Sequence, residues 1–182
     1  MTLQLVVADA CSIMNFAPID RMPLLNVALR ERGRWTQAVE GEIRRFANTL
    51  EFRRLSILLQ GGWLGEAIEL DRDEDLDAVE GIRMALGGVP SAPRQHLGEA
   101  ESIRAIETRP ELKGAIFLTD DGDATYLATR RGVTVKDTRW LISDAYSMGD
   151  IGCPEAYEVL KMMADAARPR KGADKRDVLR LL

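Results

Sequence analysis

The sequence predicts a three-layer α/β/α domain with a central, mainly parallel sheet. Short apolar runs recur along the chain, and two of the three stop at aspartate. Helical patterns separate the runs, the arrangement that demands crossover connections and a sheet covered on both faces. Size and composition agree: 182 residues, 46% hydrophobic and 30% charged, describe one ordinary domain and argue against disorder or fibre.

The first run, 3–8 (LQLVVA), is too continuous for a half-exposed strand and reads as one buried on both faces, ending at Asp9. Helical spacing follows over 23–32, with Gly33 as its stop, and over 37–59, with Thr36 as its cap. A helix at 75–86 ends at Gly87 and Gly88, and another at 98–108 ends before Pro110. The second strand, 115–119 (AIFLT), meets Asp120 and Asp121. A helix over 124–131 closes at Gly132, and the third strand, 133–135, precedes helices at 138–148 and 154–167, the latter with Pro154 in its first turn. The main domain is thus 1–167, with a helical insertion at about 50–96. Residues 168–182 (RPRKGADKRDVLRLL) form a separate basic C-terminal tail.

Charge narrows the function classes. The net charge of -4 lacks the global positive excess of many nucleic-acid binders. Residues 69–80 carry seven acids against one Arg, -6, which leaves +2 for the other 170 residues and room for a basic face. Two cysteines without zinc-ligand spacing point to a reduced, cytoplasmic setting, and no apolar run reaches a bilayer-spanning length, so no membrane partner is expected.

Carboxylates at the ends of parallel strands face one crevice, where open α/β sheets bind ligands. Aspartates also start turns through side-chain to backbone bonds, so Asp9, Asp120 and Asp121 have a second explanation. Glu99 adds a separate argument. At about 100° per residue it falls beside Ile103 and Ile106 on the apolar stripe, whereas Glu101 lies on the far side and reads as solvated. A buried carboxylate needs a cation, a donor network or a proton. On the helix after Thr36, a stripe of Val39, Ile43, Phe46 and Leu50 leaves Glu40 and Glu42 equally placed. Hard oxygen ligands without a thiolate or imidazole cluster select Mg²⁺ or Mn²⁺, the ions of phosphate chemistry.

Taken together, LVVADACSIM, VEGEIRRF, LGEAESIRAI, FLTDDGDATYLATRRGV and VKDTRWLISDAYSMGDI, in this order over most of 3–165, resemble the PIN-domain metal-dependent ribonucleases, including toxins of VapBC-type toxin-antitoxin pairs. The resemblance implies a PIN-like fold, an RNA substrate and a catalytic set of Asp9, Glu42, Glu99 and Asp121. Asp9, Glu99 and Asp121 would be the metal ligands, with Asp120 and Asp123 as alternatives to the last. It also implies an antitoxin protein as a candidate partner, and it leaves a homodimer open, with 50–86 as the candidate face. Cys11 stands where relatives carry a small hydroxyl residue beside the first Asp, with Ser12 next to it.

Rival folds fit less well. A haloacid-dehalogenase phosphatase needs a second Asp where Cys11 stands, and a receiver domain needs its acid doublet early. The alternative from another class is a PIN-like module that binds RNA or protein without cutting. Trp35, Trp63 and Trp140 read as core or interface fillers, the Arg clusters as solvated helix faces and His96 as a surface or capping residue. In the helix after Arg72, Leu76, Val79, Ile82 and Leu86 form the expected buried stripe, which keeps the acidic run off the metal site.

Overall fold

Val6, Val7 and Ala8 have no exposed surface, because their strand lies inside a sheet with helices on both faces. The computed structural model describes residues 4–167. In chain order it contains β1 (Val6–Ala8), α1 (Ala10–Met14), α2 (Met22–Leu29), β2 (Gly33–Arg34), α3 (Gln37–Ala47), α4 (Leu55–Gly61), α5 (Asp73–Ala85) and α6 (Leu97–Thr108). A 3-10 turn (Pro110–Leu112), β3 (Ile116–Leu118), α7 (Gly122–Arg130), β4 (Thr134–Lys136), α8 (Thr138–Ser147) and α9 (Cys153–Ala166) complete it. All pairings are parallel, in the order β2-β1-β3-β4.

Period-2 alternation sorts the core into two layers. Val6, Ala8, Ile116 and Leu118 face a cluster built from α1, α2, α3, α4, α8 and α9. Val7 and Phe117 face the other side, where α5, α6 and α7 supply Val79, Ile82, Ile103, Ile106 and Ala124. This is the expected three-layer α/β/α architecture. The segment 50–96 contributes to both layers, α4 through Leu55 and Leu58 and α5 through Val79 and Ile82. Among the described residues, no helix is long and apolar enough to cross a membrane. The basic tail 168–182 lies outside the described residues.

Four elements depart from the sequence expectation. A strand at Gly33–Arg34 pairs with β1 through Val6 and Val7, although Gly33 was expected only to stop a helix. Its two residues carry no apolar run, and the preceding helix ends at Leu29 because Arg30 and Glu31 turn left-handed at φ 47° and 60°. Packing favours glycine at 33, since a Cβ there would displace the buried Leu64 side chain.

The helix expected over 37–59 is two helices. Asn48 Nδ2 donates to Arg44 O and Thr49 Oγ1 to Phe46 O, local bonds that compete with helix continuation. The chain then folds Phe52 edge-on to Phe46 at 5.4 Å, which leaves Leu50 83% exposed rather than on the stripe. On α5 the buried side is Asp75, Val79 and Ile82, while Leu76 is 52% exposed. An acid took the place that hydropathy assigned to a leucine. The short helix α1 was not anticipated; it starts at once after β1, with Asp9 as its N-cap.

Candidate active site

The chain runs from β1 to β2 on one side of the sheet and places β3 on the other side of β1. Strand order therefore reverses between β1 and β3, and a crevice opens there at the carboxyl ends. Asp9 and Thr119 follow the paired residues Ala8 and Leu118, so both stand at this switch point.

Asp9 is 3% exposed, and both its oxygens accept hydrogen bonds. Its Oδ1 accepts from the Ala10 backbone N–H at 2.7 Å, while Oδ2 accepts from the Cys11 thiol at 3.0 Å and the Thr119 hydroxyl at 3.1 Å. Burial pushes its pKa up to about 7, with further upward pressure from the charges of Glu99 and Glu42; the Cys11 and Ala10 donors pull the other way. The Cys11 thiol therefore supplies direct hydrogen-bond support to Asp9. Burial and the adjacent Asp9 raise the thiol pKa well above its usual value, which keeps the proton that it donates.

Glu42 projects from α3, and its pKa is also raised, by burial and then by Glu99, against the pull of Arg45. Of the two acids that the sequence left equal, it is Glu42 that joins Asp9. Glu99 sits in the first turn of α6 with 16% of its side chain exposed, and its Oε1 lies 3.4 Å from His96 Nδ1. His96 occupies the N-cap position of α6 in a left-handed conformation at φ 59°. Gly98 brings these elements close: a Cβ there would stand 3.1 Å from Val39 Cγ2, 3.6 Å from Asp9 Oδ1 and 3.9 Å from Glu42 Oε2.

The three late aspartates separate by role. Asp120 accepts from Ser12 Oγ and Asn15 Nδ2 at 2.9 Å each, from Thr138 N at 2.9 Å, and from the Thr138 hydroxyl. Four donors make it a clamp joining α1, the end of β3 and α8. Asp121 N-caps α7, its Oδ1 accepting from Ala124 N at 2.7 Å, while its own N–H donates to Thr119 Oγ1 at 3.2 Å. Asp123 is exposed in the first turn of α7.

The structure thus joins Asp9, Glu42 and Glu99 electrostatically, and it connects Asp121 to Asp9 through the Thr119 hydroxyl rather than by direct contact. As donors, these carboxylates suit a hard divalent cation. Among the described residues, however, no three or more His, Cys, Asp or Glu side chains stand close enough to hold an ion as they are.

Glu101 is not the solvated neighbour that its helical phase predicts. Its Oε2 accepts from Ala38 N at 2.9 Å, capping α3, and burial raises its pKa. Helical phase is a property of α6 alone, whereas α3 packs against it and presents the Ala38 N–H to Glu101. Sequence reasoning also missed Thr119, Thr138 and Gly98. The signal for Thr119 was its place directly before the acid doublet, and for Gly98 a glycine inside a helix beside a buried acid. No protein-family model, no curated protein and no solved structure matches this chain.

Proposed function

We propose that this chain is a Mg²⁺- or Mn²⁺-dependent ribonuclease of PIN-like type, acting on RNA phosphodiester bonds in the cytoplasm. The observation that carries the reading is Asp9: a buried carboxylate at the sheet's switch point whose strongest charged neighbours are Glu99 and Glu42. Such a grouping is unfavourable in the ion-free chain and is relieved by a divalent cation. Asp9, Glu42 and Glu99 would hold it, with Asp121 beside them at the start of α7. When bound, the ion supplies Lewis-acid stabilisation for phosphodiester hydrolysis.

The chain's own groups supply order. Ala10 N–H, the Cys11 thiol and the Thr119 hydroxyl fix both Asp9 oxygens. Asp120 fastens β3 to α1 and α8, so the Thr119 hydroxyl stays aimed at Asp9.

A second reading, an RNA- or protein-binding module that does not cut, draws on the absence of a closed set of three ligands among the described residues. Incubation with a panel of single-stranded RNAs and Mn²⁺ separates the two. The nuclease reading expects cleavage that chelator abolishes and that Asp9→Asn reduces by about 100-fold or more, an effect on the scale of losing one preorganised electrostatic group. Undiminished cleavage by folded Asp9→Asn protein overturns it.

A further inference from the structure

Beside the carboxylates lies a cleft of about 460 Å³ that the reading above leaves unused. Thr119, Asp120, Thr125, Lys136, Arg139 and Trp140 line it. Thr119 and Asp120 also support the site, since one donates to Asp9 and the other clamps β3, so the cleft shares two lining residues with the surroundings of Asp9.

Its acids are already engaged. Asp120 is taken by its donors, and Asp137 caps α8 by accepting from Trp140 N at 2.8 Å. Its cations are freer. Lys136 is exposed on edge strand β4 and has no ion pair among the described residues. Arg139 keeps 82% of its side chain exposed and has one loose contact, Nε to Asp137 Oδ2 at 3.5 Å. Trp140 is half-buried: it packs against the core, yet it also lines the cleft. Two exposed cations, one of them held only by a loose ion pair, and an aromatic surface form a platform for single-stranded nucleic acid, where phosphates meet cations and a base stacks on the ring.

A second cationic cleft makes the contrast. It measures about 300 Å³ and lies at the opposite end of the sheet, lined by Arg109, Lys113 and Arg131. There Arg131 is bound to both oxygens of Glu107, at 2.6 and 3.0 Å, and Arg109 donates to the Glu69 carbonyl. The carboxyl ends of α6 and α7 arrive beside it, and their partial negative charge accounts for the cations without a ligand.

We infer that the cleft formed by Lys136, Arg139 and Trp140 binds one nucleotide of a single-stranded RNA next to the phosphodiester presented to Asp9. The inference rests on the nuclease reading for its orientation. It assigns Trp140, expected to be a filler, to base stacking.

The test is fluorescence anisotropy of a labelled 12-nucleotide single-stranded RNA with the full chain in EDTA, where cleavage does not intervene. Lys136→Gln with Arg139→Gln should weaken binding at least 10-fold and flatten the salt dependence by about 1.4 in log–log slope, the share of two phosphate contacts. Lys113→Gln with Arg130→Gln removes the same charge from the far end of the sheet and should change little. Trp140→Ala should weaken binding about 5-fold or more and Trp140→Phe much less, with thermal melts confirming that both fold. Equal losses in the two charge pairs, or unchanged affinity in the cleft pair, overturn the inference. RNA bound through this cleft with no metal-dependent cleavage by wild-type protein sinks the nuclease reading alone. Cleavage with unaltered kcat and KM in the cleft pair sinks the cleft alone.

Discussion

Asp9 and Asp75 are both almost fully buried, at 3% and 0% exposure, yet their surroundings are opposite. Asp75 on α5 has Arg104 Nε at 2.7 Å from one oxygen and Arg72 Nη2 at 2.8 Å from the other. Burial alone would raise its pKa, but hydrogen bonds and charge from Arg72 and Arg104 hold it below the usual carboxylate range. At Asp9 the neighbouring charges are acids, so burial and repulsion act together. One helix serves both places: α6 brings Glu99 toward Asp9 and, five residues on, Arg104 to Asp75. A fold that supplies two guanidinium groups to one buried acid and further acids to another has used the first as structure. On the proposed nuclease reading, the second receives its positive charge from a bound divalent ion.

The largest expected effects test this contrast directly. Asp75→Ala leaves the 19%-exposed Arg104 without its partner and should lower the melting temperature by about 10 °C in chelator. At pH 8, Asp9→Asn should raise it in chelator, because above its pKa of about 7 Asp9 carries a charge that the ion-free fold does not neutralise. A matching drop in both variants would erase the distinction.

The pH dependence carries the same sign. Asp9 has a folded pKa of about 7 against an ordinary value of 3.8, so between those values the folded chain holds a proton that the unfolded chain has lost. Its contribution to stability is complete below about pH 4 and declines as pH rises to about 7, at no more than about 1.4 kcal/mol per pH unit. In chelator, the difference in stability between Asp9→Asn and wild type should therefore widen from pH 4 to 7 and level off above. Mn²⁺ should raise the wild-type melting temperature more at pH 8 than at pH 5, and should do little for Asp9→Asn. A flat difference across this range would show that Asp9 does not titrate there.

How far the sequence disclosed this contrast depended on whether one element or several determined it. Asp9 and the ends of β1 and β3 were legible because hydropathy is a property of single segments; helical phase put Glu99 on the apolar side of α6, where it is partly buried, and misplaced Glu101. Glu42 could not be told from Glu40 by phase alone; the choice depends on α6 arriving through Gly98. Asp75 was hidden for the same reason. An acid in the buried row of α5 looks like an error from phase alone, and it is Arg104 from α6, together with Arg72, that makes it stable there. The two-residue strand β2 carried no run to detect, and Asp120 looked interchangeable with Asp121 until Ser12, Asn15 and Thr138 were seen to converge on it.

A smaller effect separates the two acids of α6. Glu99→Gln should relieve the repulsion on Asp9, stabilise the ion-free protein at pH 8 and reduce the Mn²⁺-induced rise in melting temperature. Glu101→Ala should cost about 1 kcal/mol through loss of the bond from Ala38 N, while leaving the Mn²⁺ response intact. Urea titrations with and without the ion read both quantities, and exchanged roles would mean that α6 is rotated relative to the sheet.

The smallest effect is expected from the densest group of acids. Asp73, Glu74 and Asp77 are exposed on α5, and the single ion pair that the three make among the described residues is Glu74 with Arg72 at 3.0 Å, itself exposed on both sides. Asp73 and Glu74 lie in the first turn, where negative charge favours the helix by a few tenths of a kcal/mol in salt. Neutralising all three should therefore cost less than about 1 kcal/mol, and Arg72 stays bound to the unaltered Asp75. Mn²⁺ affinity should not change, because none of these side chains belongs to the Asp9 group. Removing three negative charges should strengthen RNA binding slightly at low ionic strength, and the gain should vanish near 0.5 M salt as screening shortens below the spacing of surface charges. A triple variant that loses its Mn²⁺ response would move the proposed metal-binding role from the switch point of the sheet to α5, and with it the meaning of the contrast between Asp9 and Asp75.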